Sequence, residues 1–589
     1  MCGIFALLNG NKINKSDIEH NFQLGRGRGP ESSSLVTIRD NLILGFHRLA
    51  INGLTPESDQ PIIINGIYLI CNGEIYNYQL LYRMMNNAAS NNYSISPNTA
   101  SDCEVIIHLY MRYGFDQMLK MLDGVFAFIL YDSNINKIYV ARDYYGVRPL
   151  YMLNDIFLDN NFEEYILAFS SEAKMINEYS VTIVPNADAG LKTSECKILH
   201  FSPSTYIEIS LIDDLFLVTR KVKYYNMTNA GFFYPNFLEY PEFILNTILQ
   251  NINYYLSQAV YKRCITTERP IACLLSGGLD SSLITALVSK YYAKEGKVLE
   301  TYSIGLADSE DLIHSRLVAD YLGTAHTEII LTEEEFIEVI PTVIYAIESY
   351  DTTTVRASIG NYKLGEYIAK YSTAKVIFNG DGSDEVCGGY LYMENCPDPI
   401  EFDKECHRLL DEIHMYDVLR SDKCISTHGL EPRTPFLDKA FVQYYLSIPP
   451  DIRMPQGRQC TKFLLRSAFA NNSDSNILPN EILWRRKEAF SDGVSTLSKS
   501  LYEIIQESSI VQSCQINSSQ ITASQINSSQ ITASTENNTI IESINLQKEK
   551  KYYKDLFLSY FPNSDIIPAY WMPKYTEATD ASARTLKNY

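Results

Sequence analysis

Ile271-Ala272-Cys273-Leu274-Leu275 runs straight into Ser276-Gly277-Gly278-Leu279-Asp280-Ser281-Ser282 and on into the helical stretch Leu283 to Tyr292. A buried strand that turns over two glycines into a helix N-terminus belongs to a parallel α/β unit, and its backbone N–H groups form an anion cradle. The surrounding text agrees. From about 245 to 505, compact apolar runs (Ile271 to Leu275, Val298 to Ile304, Val376 to Asn379) alternate with helical stretches, which predicts a parallel α/β sheet.

The first part of the chain has a different period. Residues 1 to 205 are mostly short alternating or β-branched runs: Asn41 to Phe46, Ile67 to Cys71, Val125 to Tyr131 and Lys137 to Ala141. Asp102 to Tyr113 carries apolar residues at helical spacing and predicts a helix covering the sheet. An α+β domain with layered β-sheets is therefore expected at 1–205. Residues 206–244, rich in aromatics, are expected as a connector before the α/β domain at 245–505. At 589 residues the chain suits two large domains.

QINSSQITAS at 515–524 recurs letter for letter at 525–534. Two polar copies cannot build a stacked core, so 506–549 is expected as a disordered low-complexity insertion, with a folded tail at 550–589.

A formal charge of −20 argues against a nucleic-acid or anionic-membrane partner. No run approaches the roughly 18 apolar residues of a membrane span. The 12 cysteines lack CxxC pairs and regular spacing, so reduced thiols in a cytoplasmic protein are expected rather than disulfides or a zinc ribbon. Cys2 to Leu8 has no basic flank and is too short for a signal-peptide core.

Cys2 offers a different use for that start. If Met1 is removed, thiol and α-amine share one carbon, and an amine of pKa about 8 can take the thiol proton without a histidine. Alone, Cys2 reads first as a buried strand residue and Asn72-Gly73 as a hairpin turn, with Arg48 open to a structural ion pair and Asp102 to a helix cap. Together, MCGIFALL, Arg28-Gly29-Pro30, His47-Arg48-Leu49-Ala50-Ile51, Asn72-Gly73-Glu74-Ile75-Tyr76-Asn77, Asp102-Cys103-Glu104 and Ala141-Arg142-Asp143 resemble the class II glutamine amidotransferase domain, an N-terminal-nucleophile hydrolase fold. The resemblance implies Cys2 as nucleophile and Asn72 with the Gly73 N–H as oxyanion donors. It implies glutamine binding by Arg48, Leu49, Ala50, Ile51, Asn52, Asn72, Gly73, Glu74 and Asp102. Where the family usually has His-Arg-Gly-Pro-Asp, this chain reads Gly27-Arg28-Gly29-Pro30-Glu31.

No GxxxxGK[ST] is present, and Ser-Gly-Gly-Leu-Asp-Ser-Ser resembles instead the pyrophosphate loop of the ATP pyrophosphatase family. That resemblance implies ATP binding by Leu275, Ser276, Gly277, Gly278, Asp280, Ser281, Ile304, Asn379 and Gly380. Asp280 and Asp384, in loops at the C-terminal ends of parallel strands, are the expected Mg²⁺ carriers. Lys487, in Trp484-Arg485-Arg486-Lys487-Glu488, matches a family catalytic lysine.

Over nearly its whole length the chain resembles the glutamine-hydrolysing asparagine synthetase family, most nearly the eukaryotic type. Ser349 to Ser358, Pro432 to Asp438 and Tyr570-Trp571-Met572-Pro573-Lys574 extend the likeness. The family implies aspartate, ATP and glutamine as substrates, a β-aspartyl-AMP intermediate, and a homodimer. A related amidotransferase with another carboxylate acceptor, or an impaired homologue, is the alternative. One departure keeps the latter in view: the family usually reads Ser-Gly-Glu-Gly-Ser-Asp-Glu where Asn379-Gly380-Asp381-Gly382-Ser383-Asp384-Glu385 stands. Asp381 thus takes the place of a catalytic glutamate with a shorter arm.

Overall fold

The computed structural model describes residues 1–589 apart from 88–94, 154–165, 185–191, 196, 227–241, 459, 471–476, 487–489, 497–498, 516–532, 563, 565, 567–568, 579, 581 and 587–589. Lys487 and most of the repeat fall outside the described residues.

The first half is built on two six-stranded antiparallel sheets. In one, Gly3–Leu8 lies between Leu42–Arg48 and Leu167–Ser170; in the other, Ile67–Ile75 lies between Ile62–Ile64 and Gly124–Asp132. Successive side chains of a strand point to opposite faces. Ile4, Ala6 and Leu8 accordingly meet Ile70, Ala127 and Ile129 between the sheets. Phe5 and Leu7 face outward onto Ile18 and Phe22 of the helix Lys15–Gln23. On the other outer face Leu69 and Cys71 pack under Val105, Ile106 and Leu109 of the helix Val105–Tyr113. Both faces of the strands are covered, which is why Val125 to Tyr131 reads as an unbroken apolar run.

The expected connector begins too early. Thr205–Ile212 and Leu215–Lys223 form a hairpin that closes the edge of the second sheet, pairing with Lys137–Arg142. Its turn residues Asp213 and Asp214 both have positive φ, as a two-residue hairpin turn of the right twist demands.

The second half holds a five-stranded parallel sheet in the order Ala325–Ile330, Glu300–Gly305, Ile271–Leu274, Val376–Phe378, Glu431–Arg433. The first strand in sequence, Ile271–Leu274, is central, and the chain winds first to one side of it and later to the other. That reversal opens a crevice beyond the C-terminal ends of Ile271–Leu274 and Val376–Phe378.

The stretch expected to be disordered is folded at both ends. Leu501–Glu507, Ser509–Gln512 and Ala533–Tyr560 are helices. Arg356 fixes the last of these, pairing with Glu549 at 2.6 Å and with Asp580 of the tail at 2.6 Å, all three buried. Two long-range carboxylates around one guanidinium strap the C-terminal region onto the sheet domain.

Candidate active sites

Cys2 precedes the strand Gly3–Leu8. Its Sγ lies 3.6 Å from the Leu49 carbonyl, and Arg28 Nε donates to the Cys2 carbonyl at 3.0 Å. Burial pushes the thiol up, while the adjoining α-ammonium and the Leu49 contact pull it down. Burial lowers the Met1 α-ammonium to about 6.

Asn72-Gly73 is no turn. Both residues sit inside the strand Ile67–Ile75, opposite Ala127 and Phe126. A Cβ on Gly73 would come within 2.5 Å of the Val125 carbonyl, so the close sheet approach requires glycine. The Asn72 amide is fully buried, with Nδ2 at 3.5 Å from Ser171 Oγ and Oδ1 without a protein partner. Asp102 is no helix cap either, because Ser101 fills that role and Asp102 Oδ2 accepts from Ile75 N at 2.6 Å.

Asn52 joins the acidic pair: its Nδ2 lies 2.7 Å from Glu74 Oε2 and 3.5 Å from Asp102 Oδ1. Burial raises Asp102 to about 6 and Glu74 well above the usual carboxylate range. Two buried carboxyls so close gain from a cationic guest. Arg48 is turned inward, donating to the carbonyls of Thr55 and Gly53 and to Asp59, so it shapes the loop that follows it. Leu49 and Ile51 are core side chains beside Tyr76 and Val125, leaving only their backbone for a ligand.

Sequence reasoning missed the contribution of the second half to this site. Arg433, on the last parallel strand, reaches Glu74 at 3.4 Å and Glu431 at 2.8 Å. Only the presence of Arg433 in a motif-like stretch hinted at a role.

In the crevice, Gly277 has φ +73°, and a Cβ there would meet His314 at 2.5 Å. The loop closes through Ser276 Oγ and Ser281 Oγ, 3.1 Å apart. A Cβ on Gly380 would come 2.7 Å from Ser281 N, so glycine lets the acidic loop touch the phosphate-type loop. Leu275, Ser276, Gly278, Asp280, Ser281, Ile304, Asn379, Gly380, Asp381 and Asp384 all line one cavity of about 240 Å³. Gly277 supports the loop from behind.

Lys462, unforeseen from the sequence, sits between Asp280 and Asp384 at 2.7 and 2.6 Å, and Ser383 Oγ donates to Asp280 at 2.9 Å. Both carboxylates therefore share one cationic partner, the Lys462 ammonium. Asn379 Nδ2 donates to Ser421 Oγ at 2.6 Å. Arg420 pairs with Asp381 Oδ1 at 3.2 Å, whereas Oδ2 is buried without a protein partner. Burial, opposed by Arg420, raises Asp381 to about 6. The tail supplies Trp571, Pro573, Ser582 and Leu586 to the same cavity wall.

An N-terminal-nucleophile-type layered sheet carrying Cys2, joined to a parallel sheet with a phosphate-type loop and paired carboxylates, defines a two-site amidotransferase with a nucleotide-dependent partner domain. Family comparisons agree: residues 1–212 match the glutamine amidotransferase domain, and residues 251–400 and 394–530 match asparagine synthase. The human glutamine-hydrolysing asparagine synthetase is 38% identical over 603 residues, covering 100% of this chain and 99% of its own. The chicken enzyme is 38% identical over 600 residues and the bovine one 37% over 602, with the same coverage. The chain belongs to the glutamine-hydrolysing asparagine synthetases.

Proposed function

We propose that this chain converts aspartate to asparagine, splitting ATP to AMP and pyrophosphate and drawing ammonia from glutamine. The observation that carries the proposal is the presence, in one chain, of Cys2 at the head of the strand Gly3–Leu8 and of the Ser276 to Ser281 loop, whose Asp280 shares Lys462 with Asp384.

In the front site, Cys2 freed of Met1 attacks the glutamine carboxamide. Its α-amine takes the thiol proton, and Asn72 Nδ2 and Gly73 N–H receive the developing oxyanion. Glu74 and Asp102 hold the substrate α-ammonium, and Arg48 shapes the loop over it. In the rear site the Ser276 to Ser281 loop holds the nucleotide phosphates. Asp280 and Asp384 would hold a Mg²⁺ ion, which would supply neutralisation of the phosphate charge. Asp381 is assigned by family likeness to accept the proton as ammonia attacks the aspartyl adenylate. Lys487 is assigned to the charge on departing pyrophosphate by family likeness.

One helix links the sites. Arg28, which bonds the Cys2 carbonyl, also pairs with Asp422 at 2.8 Å on the helix Asp417–Ser426, whose Arg420 and Ser421 contact Asp381 and Asn379. Passage of ammonia between the halves rests on family likeness. A cytoplasmic location and a homodimer rest on family likeness alone.

The test is asparagine formation by purified protein with ATP, Mg²⁺ and aspartate, supplied in parallel with glutamine or with ammonium, and with AMP distinguished from ADP by mass. Asparagine with AMP in both arms is expected. Glutamate release without asparagine would favour the impaired-homologue reading that Asp381 and Asn379 raise.

A further inference from the structure

The Ala50 peptide is gripped from both sides by one ion pair. Glu31 Oε2 accepts from Ala50 N at 2.9 Å, and Arg269 Nε donates to Ala50 O at 2.7 Å. Arg269 Nη2 meets Glu31 Oε1 at 2.8 Å, closing the ring. The same short segment holds the neighbouring residues. Glu268 N donates to Ile51 O at 3.0 Å, Glu268 Oε1 accepts from Gly53 N at 2.6 Å, and Thr266 O lies 3.2 Å from Asn52 Nδ2. Residues 50 to 53 are thus each bonded to Thr266–Arg269 of the rear half.

That segment stands at a junction. Behind it ends the helix Glu242–Ile265, and ahead of it starts the strand Ile271–Leu274, which delivers the Ser276 loop to the nucleotide crevice. The backbone touching the front loop is continuous with the backbone cradling phosphate.

We infer that Arg269 and Glu31 are a positioning pair through which the rear half sets the glutamine-binding loop Arg48 to Asn52. The inference rests on the reading above that this loop binds glutamine. Both side chains are about a third exposed, so their coulombic attraction is screened. What matters is direction: the planar guanidinium sends Nε to a carbonyl and Nη2 to a carboxylate at once, which an ammonium on a flexible stem does not reproduce. Length matters as well. The family's usual aspartate at position 31 is one methylene shorter, whereas Glu31 spans both Ala50 N and Arg269. The departure noted in the sequence therefore has a structural use.

The experiment measures glutamate release and ammonium-dependent asparagine formation for the full chain and for Arg269→Ala, Arg269→Lys, Glu31→Asp and the double variant Arg269→Ala/Glu31→Gln. Arg269→Ala is expected to raise the glutamine KM about tenfold, the size of a lost charge-assisted hydrogen bond. Arg269→Lys should not restore it, and Glu31→Asp should raise it in the same direction. The double variant should be no worse than Arg269→Ala, because both changes break one interaction. Ammonium-dependent synthesis should hold at the wild-type rate, which also shows that the variants fold. An unchanged glutamine KM in Arg269→Ala overturns the inference, as does an equal loss in the ammonium arm, which would mark a merely structural role. Wild-type protein that releases no glutamate would instead overturn the glutamine reading itself.

Discussion

Lys462 Nζ lies 2.7 Å from Asp280 Oδ2 and 2.6 Å from Asp384 Oδ1, joining the phosphate-type loop to the acidic loop through one buried ammonium. Removing one partner of such a buried set costs about 3 to 5 kcal/mol, because the remaining charges lose compensation. Lys462→Met should therefore lower the melting temperature. Millimolar Mg²⁺ should raise it again, and by more than in the wild type, in paired thermal denaturation scans.

Asp381 differs from the family glutamate by one methylene, and it lines the rear cavity. An error of about 1 Å at a reacting group can cost on the order of 100-fold in rate. Asp381→Glu is expected to raise kcat for asparagine formation and Asp381→Asn to lower it steeply, with glutamate release unchanged in both. A flat response across the two variants would remove Asp381 from the chemistry.

Cys2→Ala should abolish glutamine-dependent synthesis and leave ammonium-dependent synthesis intact. Parallel product assays check this, and loss of both activities would argue against independent sites.

Asp102 is raised by burial from 3.8 to about 6. If Asp102 binds the glutamine α-ammonium as proposed, only its ionised form attracts it, so the glutamine KM should climb as pH falls below about 6. Asp102→Asn should flatten that profile while raising KM at neutral pH. The stability sign is opposite. Between those two values the folded protein holds a proton that the unfolded chain has released, so this group's contribution falls as pH rises through the window. Denaturant titrations of wild type and Asp102→Asn between pH 4 and 7 read the difference.

Arg356 joins Glu549 and Asp580 and so seats Trp571, Pro573 and Ser582 at the rear cavity. Arg356→Ala leaves two buried carboxylates unpaired, at a cost of about 3 to 5 kcal/mol. Limited proteolysis should then cut near the C-terminus, with asparagine formation lost and glutamate release retained.

How much of this was legible in the residues depends on the range of the interaction. The Val125 to Tyr131 run, the central strand Ile271–Leu274 and the Ser276 loop were readable because period and glycine placement are local properties. The hairpin Thr205–Lys223 has local signals too, yet the aromatics beyond it suggest a connector. Its Asp213-Asp214 pair carries the turn signal. The alternatives for Asn72-Gly73 and Asp102 could not be decided locally, since a turn, a strand and a cap all tolerate those residues. Pairing with Ala127 and Phe126 decided the first, and Ser101 occupying the cap decided the second.

By itself the sequence determined the two kinds of sheet and the glycine-bearing loop after Ile271–Leu274, because backbone geometry and side-chain chemistry at adjacent positions dictate them. Only the tertiary structure decided that Lys462 faces Asp280, that Arg433 enters the front site, that Arg269 grips Ala50 and that Arg356 holds the tail. The physical reason is that a charge carries no address in the sequence: a lysine or arginine is equally soluble on any surface. Its partner emerges only when folding buries it and leaves a carboxylate, many residues away, as the group that can compensate it.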